Sequence, residues 1–195
     1  MEQQTISSTI SLNDQFLIAM PQSEDSFFKN SVIYIWEHSN EGAMGMAINL
    51  PLPITLSKLL EQLGIEDERI SGAPQIVLCG GPVEPSKGFI LHDSVPNAKT
   101  WNATSNLENN LFITTSRDIL EDIAKGKGPQ NYFVILGFAG WGPGQIEQEI
   151  IDNVWFNCPA DKELIFSTEF DNKAKLAAKL LGFEFSQLST HAGSC

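Results

Sequence analysis

The chain has 195 residues, Lys+Arg 12 against Asp+Glu 24, a formal charge of −12 and 42% apolar residues. That composition excludes disordered, collagen-like and disulfide-scaffold classes, and the length suits one domain able to bury about 70% of its unfolded surface. The longest apolar runs, Phe16 to Met20 and Phe133 to Ala139, fall far short of the ~18 residues that span a bilayer, so no membrane role is expected.

In chain order, residues 1–14 are polar and hold no Lys or Arg, which argues against a signal peptide. Residues 15–20 and 31–37 read as strands, the second rich in β-branched and aromatic side chains. Residues 42–50 read as a strand with two glycines, ended by Pro51 and Pro53. Leu56, Leu59, Leu60 and Leu63 recur at i, i+3, i+4, i+7, which predicts a helix over 55–63 stopped by Gly64. Ile76 to Cys79 and Phe89 to His92 read as short strands around a turn. Leu111 to Thr115 is a further strand, and Ser116 is placed to cap a helix carrying Ile119, Leu120 and Ile123. Tyr132 to Ala139 is almost continuously apolar, as a central strand is. A glycine loop, 140–144, leads into a helix over 145–152. Val154 to Phe156 reads as a strand, and Asp171 is placed to cap a last helix with Ala174, Ala177, Ala178 and Leu181 on one face. The irregular interleaving favours an α+β fold with a mixed sheet in a single domain, 1–195, with 1–12 and 186–195 as flexible ends.

Charge and cysteine usage narrow the function class. Phosphate contacts need clustered Lys and Arg, so an acidic chain whose arginines are Arg69 and Arg117 argues against direct nucleic-acid binding. The densest basic stretch, Lys173, Lys175 and Lys179, reads as a solvated helix face. Cys79, Cys158 and Cys195 form no CxxC and fit free thiols in a reducing cytoplasm.

Few strings carry chemistry. Gly81 to Lys87 resembles a broken phosphate loop, but Pro82 and Pro85 lack the N–H groups such a cradle needs, so a structural turn is favoured. The loop Gly140, Trp141, Gly142, Pro143, Gly144, Gln145 precedes a helix and is a possible anion site or a capping arrangement. With Gly144 as N-cap, Glu147 takes the reach-back position of a capping box. On a helical wheel with Ile146 at 0°, Ile150 falls near 40°, Glu147 near 100° and Ile151 near 140°, roughly 100° per residue, so Glu147 lies inside an apolar arc. A carboxylate there must be paired, hydrogen-bonded or protonated. This predicts that Glu147→Gln destabilises more than His38→Ala. His38 and His92 each end a strand and are acid–base or ligand candidates, although structural histidines are commoner. No HExxH, CxxC or other ligand spacing is present, and His191 with Cys195 lies at a chain end, so no metal and no cofactor is expected.

Several strings in order resemble the bacterial YqgE/AlgH family: FLIAMP (16–21), VIYIWEH (32–38), GAMGMAINLP (42–51), GGPVEPSKGFILH (80–92), LGFAGWGPGQIEQEI (136–150) and VWFNCPAD (154–161). The resemblance covers about residues 10–185. It implies a small cytosolic protein with an α+β fold whose branched or barrel-like sheet is surrounded by helices. One branch of the family is associated with transcriptional regulation of exopolysaccharide production. The resemblance supplies no agreed catalytic residues; the motif positions it transfers are His38, Gly80, Gly81, Pro82, His92, Gly140, Trp141, Gly144, Gln145, Glu147 and Glu149. The family commonly closes on Gly-His-Ala, whereas this chain ends Gly193-Ser194-Cys195. The leading expectation is a non-enzymatic regulatory protein acting through protein partners. The alternative is a small-molecule-binding protein or enzyme whose site joins His38, His92 and the Gly140–Gln145 loop. Oligomeric state is left open.

Overall fold

In a computed structural model, residues 11–19, 27–69, 74–93 and 101–182 are described. The expectations for His191, for the terminal residues 193–195 and for the loop at 21–25 fall outside them. Among the described residues, ten strands and five α-helices follow one another as β1 (Gln15–Ala19), β2 (Val32–Ser39), β3 (Gly42–Ala47), β4 (Pro51–Thr55), α1 (Leu56–Gln62), β5 (Ile76–Cys79), β6 (Val83–His92), β7 (Thr104–Asn106), β8 (Phe112–Thr114), α2 (Arg117–Ala124), β9 (Tyr132–Trp141), α3 (Gln145–Ile151), β10 (Trp155–Pro159), α4 (Lys162–Ser167) and α5 (Phe170–Leu180).

The sheet is mixed and branched. Its main path runs β10-β1-β2-β3-β9-β6-β8-β7, and β5 joins β9 in parallel while pairing β4 on its other edge. The branch point is β9, whose apolar run marked it as a central strand. Its first half lies between β5 and β6, and its last residues pair β3 through Trp141↔Ala43. Both faces are covered, which is why β1 and β2 are apolar without alternation. Phe16, Ile18, Val32 and Tyr34 face a core shared with Leu164, Ile165, Ala174 and Ala177 of α4 and α5. Leu17, Ala19, Ile33 and Ile35 face a core shared with Ile146 of α3. At the other end of the sheet a third core packs Ile90 and Val134 against Leu56 and Leu60 of α1 and Ile119, Leu120 and Ile123 of α2.

Several local expectations change. The strand expected over 42–50 ends at Ala47, before Pro51 and Pro53, and these prolines belong to a further strand, β4, an edge strand paired at Pro51↔Leu78 and Thr55↔Ile76. A proline needs no donor there. The segment after Cys79 is not a hairpin turn, because β5 and β6 pair with opposite edges of β9 rather than with each other. Residues 84–87 bulge between the pairs Val83↔Phe138 and Gly88↔Leu136, with Glu84 at φ +46. Glu169, not Asp171, is the N-cap of α5, and α4 is an additional helix capped by the Asp161 side chain. Ser116 holds the N-cap position of α2 without a capping bond; its hydroxyl turns to Asp118 and the Asn102 carbonyl. Leu12, inside the segment expected to be a flexible end, is buried.

Candidate functional site

The polar motif residues collect at the α3 end of the sheet. His38 leaves β2 and is buried. Its Nδ1 accepts the Leu12 N–H at 3.1 Å, so the ring proton belongs on Nε2, which donates to Glu147 Oε1 at 2.9 Å. Glu147 therefore spends its first oxygen on β2 and makes no capping box; its Oε2 is buried with no hydrogen-bond partner among the described residues. No side chain caps α3; Gln145 Oε1 instead accepts the Gly142 N–H at 3.0 Å and so braces the loop before the helix. Gly144 is the N-cap at φ +72, a left-handed conformation that glycine adopts without cost.

Glu149 lies on the opposite flank of α3. Its Oε2 accepts both the Trp141 indole N–H at 2.9 Å and the Trp155 indole N–H at 2.7 Å, and its Oε1 accepts from Gln145 Nε2 at 2.8 Å. The two indoles meet edge to face with centroids 6.1 Å apart. Ile151, read as part of the apolar arc, is instead 71% exposed. The arc is centred on Ile146, with Glu149 and Glu147 at its borders. In front of Trp141 lies an open cleft of about 200 Å³ lined by Glu37, Ser39, Glu41, Gly42, Ala43 and Met44. Gly42 is required there: at φ +131, a Cβ would stand 2.2 Å from the Trp141 carbonyl oxygen.

His92 is elsewhere. It pairs with Tyr132 at the first residue of β9, whereas His38 reaches Trp141, nine residue steps later, through Ala43. The two histidines are thus separated by up to about 30 Å along β9. The site joining His38, His92 and the Gly140–Gln145 loop does not form. His92 is fully buried, stacked on Phe112 and edge-on to Trp101. A directed chain fixes its proton: Thr104 Oγ1 donates to the Trp101 carbonyl, Thr114 donates to Thr104, and so His92 Nε2–H donates to Thr114 Oγ1 at 2.9 Å.

Gly80 and Gly81 are packing devices. The Gly80 N–H bonds the Leu136 carbonyl and its own carbonyl accepts from Ala47, so it bridges β9 and β3. A Cβ on either glycine would lie 2.2 Å from β9 backbone atoms. Pro82 and Gly140 are exposed.

With this geometry, comparison with known proteins is informative. The AlgH-like family, DUF179, matches residues 16–186. The chain belongs to the AlgH-like family. A UPF0301 protein of Alcanivorax borkumensis is 45% identical over 94% of this chain and 96% of its own, and one from Shewanella sp. strain ANA-3 is 44% identical over 94% and 98%. The solution structure of the AlgH protein from Pseudomonas aeruginosa superposes with a TM-score of 0.75, 38% identity and full coverage of both chains. Protein DIP2367 from Corynebacterium diphtheriae, at 21% identity, 84% and 85% coverage and TM-score 0.66, shares the fold alone. The AlgH-like fold is therefore a single mixed α+β domain here, as the sequence resemblance implied.

Three features escaped the sequence reading. Lys173, assigned to a solvated face, is fully buried: its ammonium donates to the Leu164 carbonyl at 2.8 Å and to that of Ile165, and lies over the Phe133 and Phe170 rings. Burial pushes it down to about 8. Arg69 grips Asp67 with two 2.7 Å bonds and also reaches Ser57 and Gln75, which holds the Asp67 carboxyl well below its ordinary range. Cys158 is buried and its thiol pushed up to about 11, so it is inert at neutral pH. Among the described residues no group of three or more His, Cys, Asp or Glu is placed to hold a metal, and no helix is long and apolar enough to cross a membrane.

Proposed function

We propose that this AlgH-like protein is a non-enzymatic regulatory protein of the bacterial cytoplasm that acts by binding other proteins. One observation carries the reading: most polar groups that chemistry would need are spent on the fold, and Glu147 Oε2, which has no partner among the described residues, is buried. His38, the His92 Nε2–H and Glu149 each tie separate parts of the chain together, and Gln145 is bonded to Glu149 and the Gly142 N–H. A base or nucleophile held this way lacks an open side toward substrate. The charge supports protein over nucleic acid as partner. Arg69 is committed to Asp67, Arg117 is paired to Glu121 through its Nε, and Lys173 is withdrawn from the densest basic stretch.

Cross-linking in cells followed by reconstitution from purified components tests the reading. A partner that binds with a Kd of about 1 μM or tighter, with no duplex-DNA affinity at about 150 mM salt, supports it. Tight DNA binding with a steep salt dependence, or a turnover activity abolished by His38→Ala in a protein that still folds, overturns it.

A further inference from the structure

At the end of the sheet away from His38, a second cleft of about 210 Å³ opens between α1, α2 and the strands β6 and β9. Its floor and walls are Leu59, Leu63, Ile90, Leu120, Val134 and Leu136. Leu59 and Leu63 are the outward pair of the helical stripe whose inward pair, Leu56 and Leu60, is fully buried. The mouth is polar. Arg117, Thr115 and Ser86 lie there, all exposed. Arg117 hydrogen-bonds through its Nε, to Glu121 Oε1 at 3.0 Å; its two Nη nitrogens make no hydrogen bond among the described residues. The Thr115 and Ser86 hydroxyls make none either.

We propose that this cleft binds a small apolar group carrying one carboxylate. The volume is below the roughly 300–1,000 Å³ of sites for drug-sized ligands, so it admits one short chain, one ring or one side chain. The lining rewards an apolar body. The open face of a guanidinium is a planar fork that fits a carboxylate in two parallel bonds. A cationic ligand would meet Arg117 at the mouth. Asp118 and Glu121 beside the mouth repel any anion, and the second charge of a phosphate adds to that repulsion where a single carboxylate does not. The amide end of α2 is not the recognition element, because Asp118 already accepts the Ile119 N–H. Two sources present the required chemistry: a free short-chain or aromatic acid, and the C-terminal residue of a peptide, whose apolar side chain and α-carboxylate come as a unit.

Amide chemical-shift mapping of the full chain tests this with four probes: octanoate, 1-octanol, a pentapeptide ending in a free Leu carboxylate, and the same peptide amidated. Octanoate is expected to shift the amides of Leu59, Leu120 and Leu136 and to bind about tenfold tighter than octanol. Arg117→Gln, at an exposed position, removes that tenfold preference without changing the fold. Leu63→Trp fills the cleft and abolishes the shifts. Binding of the free peptide but not of its amide assigns the carboxylate to a peptide C-terminus; binding of octanoate alone assigns it to a free acid. Equal affinity for octanol and octanoate, shifts elsewhere on the molecule, or no response to any probe up to about 10 mM overturns the proposal. Such a failure leaves the interaction reading standing, since that reading is judged by its own reconstituted partner.

Discussion

His38 and Glu147 show how a single contact reorders an expectation. From spacing alone, Glu147 is the more costly residue to alter, because it lies in an apolar arc. In the structure, His38→Ala strips partners from both the buried Leu12 N–H and Glu147 Oε1 and leaves a cavity, whereas Glu147→Gln keeps an acceptor for the His38 Nε2–H. His38→Ala is therefore expected to cost about 2–4 kcal/mol and Glu147→Gln about 1 kcal/mol, read from urea denaturation midpoints. Lys173 supplies a prediction in pH. It titrates at about 8 in the folded protein against 10.5 when unfolded. Between those values the unfolded state holds the extra proton, so this group makes stability rise with pH. Relative to Lys173→Met, which has no proton to lose, wild-type stability should gain about 1 kcal/mol from pH 8 to pH 9. A flat difference between the two proteins across that range refutes a buried, desolvated ammonium.

Short elements depend on their neighbours more than on their own pattern. Helix α3 has seven residues, too few to be stable alone, and is held by what its borders reach. Glu147 fastens it to β2, and Glu149 fastens it to the indoles that end β9 and begin β10. Glu149→Leu leaves two indole N–H groups without acceptors, with an expected cost of about 2–4 kcal/mol and a change in tryptophan emission on the folded protein. Elements whose local pattern and burial agree were legible: β5 and the leucine stripe of α1 lie where the sequence puts them. The excursion at 84–87 and the strand β4 were not. A proline ends a strand only where its missing N–H is needed, and whether it is needed depends on which edge the tertiary fold leaves open.

On the scale of the molecule, the branched sheet spreads residues that sequence motifs group together. Parallel entry of β5 beside β9 sends β6 to the opposite edge, and with it His92 to the far end of the sheet from His38. The acidic excess acts over the same scale. With a charge of −12, self-repulsion opposes the compact state, so raising salt from about 20 to about 300 mM is expected to raise the melting temperature in a buffer without specific ions. A fall in melting temperature would mean that local pairs such as Asp67–Arg69 outweigh the net charge.

The sequence by itself determined the family, the α+β class, the central position of β9 and the net negative charge, because these follow from composition, ordered motifs and one-dimensional hydrophobic pattern. The tertiary structure alone decided which polar residues meet. It turned Lys173 inward, tied His38 to Glu147 across 109 positions of chain, and set Arg117 at the mouth of a leucine-lined cleft. Such pairings arise from strand register and sheet branching, and neither is encoded in the local pattern of the strands that carry them.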